Sequence, residues 1–147
     1  MREILFRGKR KDNGKWVEGS YCQKKTAHYE GREVVEDVKH LIITSMTDCR
    51  YLYAEVDQET VCQYTGLTDR NGRKIFEGDI LRFVNYINNN EWLCVIEFLE
   101  GSFICRYIRE DGELGEYNHF TSWHEKVKWE VIGNIFDSPE LVNQEEK

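Results

Sequence analysis

The sequence predicts a mainly β protein, with antiparallel hairpins forming small β-barrel or sheet subdomains and only minor short helices. Two observations point that way. Apolar and polar residues alternate in short runs rich in β-branched and aromatic side chains, the composition of a half-buried pleated strand. Those runs are separated by Asn-Gly, Glu-Gly and Asp-Gly pairs, which suit the positive backbone φ of tight reversals.

Taken in order, Ile4 and Phe6 alternate with Leu5 and Arg7, and Trp16-Val17 resumes the pattern after Asp12-Asn13-Gly14-Lys15, so the first element is a hairpin. Residues 23–33 are polar and contain a glycine, and are expected as a loop. Strands are expected from Val38 to Thr44 and from Tyr51 to Val56, followed by one helical turn at 57–60 capped by Asp57. Asp69-Arg70-Asn71-Gly72 then turns the chain between Tyr64, Leu67 and Ile75, Phe76, and Glu77-Gly78-Asp79 turns it again before Ile80–Val84. The apolar reach Phe83–Ile87 leads to a loop at Asn88-Asn89-Asn90. Trp92–Leu99 and Ser102–Ile108 bracket Glu100-Gly101 as a further hairpin, and Asp111-Gly112 with Gly115 marks another reversal. Val127–Ile132 is expected as a closing strand broken by Gly133-Asn134, and Ser138-Pro139 starts a last short helix. There is one proline, no Ser/Pro-rich linker and no internal repeat. The whole of 1–147 is therefore taken as a single domain, with a weak seam between Val56 and Gln63 that allows subdomains 1–60 and 61–147.

A chain of 147 residues with 40% hydrophobic and 13% aromatic residues can bury a sizeable core despite its polar overall balance. The longest apolar runs, such as Leu41-Ile42-Ile43, are far short of a membrane span, and the beginning lacks a signal-peptide core, so a cytoplasmic protein with no membrane partner is expected. Five widely spaced cysteines, Cys22, Cys49, Cys62, Cys94 and Cys105, contain no CxxC pair and read as buried reduced thiols. The net charge of −7 argues against a generic nucleic-acid binder. Its distribution is uneven: residues 1–25 carry eight Lys/Arg against three acids, a balance of +5 that leaves −12 on the other 122 residues. That split suits a solvated basic hairpin, a basic arm docked on an acidic neighbouring subunit, or a phosphate contact.

Candidate chemistry is sparse. His119 and His124, with Glu116 and Glu125 nearby, lack the convergent spacing of a metal site, and His28 and His40 lie apart from them. A Cys105–His119 nucleophile would need an orienting third group that no local pattern supplies. Glu77 and Asp79 could serve as an acid–base pair, but the intervening Gly78 favours a turn in which Asp79 accepts backbone amides. Gly66, Gly72 and Gly78 match no phosphate-binding loop. Trp16, Trp92, Trp123 and Trp129 lie in apolar or alternating runs and are expected in cores rather than on a base-stacking platform.

The run Glu59–Ile80, containing Gln63-Tyr64-Thr65-Gly66-Leu67-Thr68-Asp69-Arg70-Asn71-Gly72, resembles the signature of the YopX proteins of bacteriophages and prophages. Arg2–Arg7 and Val131–Leu141 are similar to that family's two ends, so the likeness spans the chain in order. Cys62 departs from it, standing where a glycine precedes Gln-Tyr-Thr-Gly-Leu. Residues 23–50 and 106–126 carry no matching motif. The resemblance implies a phage-encoded, cytoplasmic, oligomeric protein of uncharacterised function. It supplies no catalytic, cofactor-binding or metal-ligating residue, and none is assigned. The expectation is a non-enzymatic accessory protein of the bacterial host cell that self-associates as a homo-oligomer, without a cofactor, its host or phage protein partner unnamed. The alternative is a nucleic-acid-binding small β-barrel that places Arg7, Arg10, Lys11 and Lys15 on phosphates.

Overall fold

The computed structural model describes residues 3–84, 89–120 and 128–142. The chain divides into two compact units, 1–63 and 64–147. In the first, β1 (Phe6–Lys9), β2 (Trp16–Glu30), β3 (Glu33–Thr47) and β4 (Arg50–Glu55) form an antiparallel sheet in the order β4-β3-β2-β1. The start of β5 (Cys62–Thr68) adds to β1 through Arg7↔Cys62 and Phe6↔Gln63. From Tyr64 onward β5 belongs to the second unit, where it pairs with β6 (Lys74–Phe76). The remaining strands are β7 (Asp79–Val84), β8 (Glu91–Leu99), β9 (Ser102–Ile108), β10 (Leu114–His119) and β11 (Glu130–Asn134), ordered β10-β9-β8-β7-β11.

The mainly β expectation holds, with two antiparallel sheets and, among the described residues, only short 3-10 turns at Gln58–Thr60 and Pro139–Leu141. The expected barrel is not formed, because β10 and β11 stay at opposite edges of their sheet and do not pair. Among the described residues no helix is long and apolar enough to cross a membrane.

Local chemistry accounts for most elements. Asn13 Oδ1 accepts the Lys15 N–H (3.0 Å) in the first hairpin turn, and Asp57 Oδ1 caps the first 3-10 turn by accepting the Glu59 N–H (3.1 Å). The largest departure is at residues 23–33. Instead of a loop they continue β2 and open β3, paired without interruption from Ser20↔Ile43 to Glu30↔Glu33 and turned by Gly31-Arg32. The β-branched and aromatic residues Thr26, Tyr29, Val34, Val35 and Val38 support the strand. Its solvated polar positions imitate loop composition. The last strand ends at Gly133-Asn134 as expected, β11 closing on Asn134, and the register to β7 shifts just before, between Val131 and Gly133. The end of the expected reach (85–87), the first residue of the expected loop (88) and Val127 lie outside the described residues.

The core of the second unit gathers Ile75, Leu81, Cys94, Ile96, Phe103, Cys105, Phe120, Trp129 and Val131. That of the first is smaller, built on Leu41, Ile42, Ala54, Val56 and Cys62. Cys49 is exposed, unlike the expected buried thiols, while Cys62, Cys94 and Cys105 are buried. Burial first, then the neighbouring Cys105 thiol, pushes the Cys94 thiol well above its ordinary range. Trp129 is buried, but Trp92 is 45% exposed, and Trp123 lies outside the described residues.

Close packing at β2 has a direct test. A Cβ at Gly19 would collide with the Ile43 carbonyl oxygen, a backbone atom that must shift to admit it. Gly19→Ala is expected to destabilise the protein by about 3 kcal/mol, read as a lowered denaturant midpoint.

Candidate functional site

The segment with the strongest pattern, Gln63–Leu81, is organised by buried polar groups. Asp69, 7% exposed, accepts through Oδ1 from the N–H of Asn71 (2.8 Å) and Arg73 (2.9 Å), closing the turn in which Gly72 sits at φ +79°. Through Oδ2 it accepts from the Val131 N–H at 3.1 Å, and the Arg70 N–H donates to the Trp129 carbonyl at 2.9 Å. One carboxylate therefore shapes a turn and ties it to β11. The Thr65 hydroxyl donates to the Ile75 carbonyl (2.9 Å), and the Tyr64 ring packs on Phe76 with centroids 5.5 Å apart. Asp79 is 1% exposed and accepts from the Phe76 N–H at 2.8 Å, the turn role expected of it. The Gly78 N–H and carbonyl are taken by Ile96 (2.7 Å) and Ile135 (2.9 Å).

The other sequence candidates are dispersed. Asp79 lies on β7 and His119 on β10, three strands away in the same sheet, which is roughly 14 Å at the usual strand spacing. His119 is exposed, with Nδ1 3.1 Å from the Ser102 hydroxyl. It is no partner for Cys105. Asn118 is the residue opposite Cys105, so the next residue, His119, projects from the other face. His124 and Glu125 lie outside the described residues, among which no group of three or more His, Cys, Asp or Glu is placed to hold a metal.

The N-terminal cations are drawn into local contacts. The Arg7 guanidinium, 7% exposed as a residue, sits 4.6 Å from the Trp16 ring centroid, and the Lys9 ammonium lies 5.4 Å from the same centroid. Arg10 Nε donates to Asp12 (2.8 Å), a hydrogen bond that holds the Asp12 carboxyl below its usual range. Lys11 reaches Glu55 at 3.4 Å. Lys24 and Lys25 lie farther out on β2.

Sequence reasoning missed a different surface. β4 is an edge strand, and its consecutive residues Tyr51, Leu52 and Tyr53 are 62%, 61% and 60% exposed, with Met46 at 71% opposite Tyr51. A second apolar group, Tyr29, Val34 and Val38, is exposed on the β2–β3 ribbon. A patch of this kind on an open sheet edge suits association, because it offers apolar area beside a strand with no neighbour on its outer side in the sheet. The available signal was the aromatic density of Tyr51-Leu52-Tyr53, which reads equally well as core.

The family model described as YopX protein matches residues 5–143. No curated protein matches. Among solved structures, the crystal structure of protein EF1440 from Enterococcus faecalis is similar, with a TM-score of 0.50 and 21% identity over 97% of this chain and 100% of that one. That likeness concerns the fold.

Replacing Asp69 by Ala strands the N–H groups of Asn71, Arg73 and Val131. We expect a loss of about 2–4 kcal/mol in equilibrium unfolding, with Asp69→Asn intermediate because its Oδ1 still accepts. A second expectation concerns acid. The Arg82 guanidinium, hydrogen-bonded to Glu130 at 2.7 Å across the β7–β11 ladder, holds the Glu130 carboxyl below its ordinary 4.5. A lowered folded-state value contributes stability above the unfolded value and loses it as pH falls through the folded one. Glu130→Gln should therefore flatten the fall in stability below about pH 4.5, measured by denaturation across pH.

Proposed function

This chain belongs to the YopX family, and we propose that it is a non-enzymatic, cytoplasmic accessory protein of phages and prophages that works by associating with further copies of itself. The observation that carries the reading is the open edge of the first sheet. Tyr51, Leu52 and Tyr53 are each about 60% exposed, on a strand whose outer side has no neighbouring strand in its sheet. Hiding such area from water is the main driving force of stable association.

Two further facts support it. The buried polar residues of the Gln63–Leu81 segment are occupied in holding turns, as the Asp69 and Asp79 hydrogen bonds show. Of the four cations that a phosphate-binding hairpin would use, Arg7 is buried against Trp16, Arg10 bonds Asp12 and Lys11 faces Glu55. Among the described residues only Lys15 of the four lacks such a contact, so the nucleic-acid reading has little free charge to work with.

Light scattering and sedimentation test the proposal. The expected mass is a multiple of 17.5 kDa at both low and high salt, because apolar burial is not screened by ions. A single-chain mass under both conditions would refute self-association. Tyr51→Lys combined with Tyr53→Lys should lower the mass if the β4 edge takes part.

A further inference from the structure

The β2–β3 arm has two unlike faces. Side chains alternate along a strand and directly paired residues share a face. The register thus places Lys25 with Val38, Ala27 with Glu36, and Tyr29 with Val34 in successive rows on one side. On that side Tyr29 is 78% exposed, Val34 57% and Val38 41%. The opposite side is mostly Lys, Thr, His, Glu and Asp. Residues 23–30 are exposed throughout, so the outer arm is a two-stranded ribbon with an apolar face open to solvent. Such a ribbon is marginal in water without a layer on it.

Charge identifies what supplies the layer. Residues 24–39 carry Lys24, Lys25, Arg32 and Lys39 against Glu30, Glu33, Glu36 and Asp37, which is neutral overall and gives a polyanion nothing to neutralise. The apolar face itself holds one cation and one anion, Lys25 on β2 and Glu36 on β3, in adjoining rows. Among the described residues neither takes part in an ion pair. A face with this pattern complements itself.

We propose that the apolar face of the arm packs on the same face of a second copy, about a twofold axis running along the arm. The operation sets β2 of one copy against β3 of the other. Tyr29 then lies on Val34 of the second copy, Ala27 leaves room for its Glu36, and Lys25 covers its Val38. Lys25 stands one row, roughly 7 Å along the strand, from the opposing Glu36, within reach of two long side chains. This deepens the self-association read above and rests on it; what it adds is a second surface, the arm face, beside the β4 edge.

The test uses the whole protein with Lys25→Glu, Glu36→Lys and Val34→Lys, each checked for native far-UV dichroism. Lys25→Glu places acid against acid between copies, and Glu36→Lys places base against base. Each alone should weaken association about tenfold in sedimentation equilibrium, and Val34→Lys should weaken it at least as much. An equimolar mixture of Lys25→Glu and Glu36→Lys should recover wild-type affinity, since opposite charges then meet only between unlike copies. That recovery excludes a purely structural role within one arm. An oligomeric wild type whose mass none of the three variants alters, or a mixture no tighter than its components, overturns the arm contact while leaving self-association standing. A monomeric wild type overturns both.

Discussion

The carboxylate of Asp69 is the constraint on which the second unit most depends. It is nearly buried and accepts three backbone N–H groups, two within its own turn and one on β11. A buried carboxylate is tolerable only when its lone pairs are filled, so the turn and the attachment of β11 come as one arrangement. The register of β11 against β7 follows, and with it the Glu130–Arg82 pair and the burial of Val131. Asn134 repeats the device at the end of β11, its Oδ1 accepting from Phe136 (3.0 Å) and Asp137 (2.9 Å).

This economy gives the polar residues of the most patterned segment a structural task. Asp69, Asp79, Thr65 and Asn134 are the residues a search for catalytic groups would collect. Each spends its hydrogen-bonding capacity on backbone that would otherwise be buried unpaired. The family likeness and the solved structure with the same fold are therefore recognitions of architecture. The most exposed aromatic and β-branched side chains lie in the other unit, on β4 and the long ribbon.

The sequence made the turns legible because a turn is a local object. Asn13-Gly14, Asn71-Gly72, Glu100-Gly101 and the Asp57 cap declare themselves within four or five residues, and the strands beside them follow from short-range alternation. The arm was not legible. Its strands read as loop because residues 23–33 carry little apolar content, and what makes them strand is pairing with partners up to 17 positions away, as in Gln23↔His40. The end of β11 at Gly133-Asn134 was legible, but the register shift between Val131 and Gly133 was not, because it is set by pairing with β7.

From its sequence alone, then, the protein is a mainly β chain of tight hairpins with the YopX signature, since turn chemistry and the period of two act over a few residues. Tertiary structure decided which faces are covered. Tyr64 and Trp129 are buried while Tyr51, Tyr53 and Trp92 are exposed, although all five are aromatics in strand-like runs. Coverage depends on which distant strand or turn lies over a face, and alternation along one strand carries no record of it. The same holds for the carboxylates, because Asp69 became a structural centre only when folding brought the Val131 N–H to it across 62 residues.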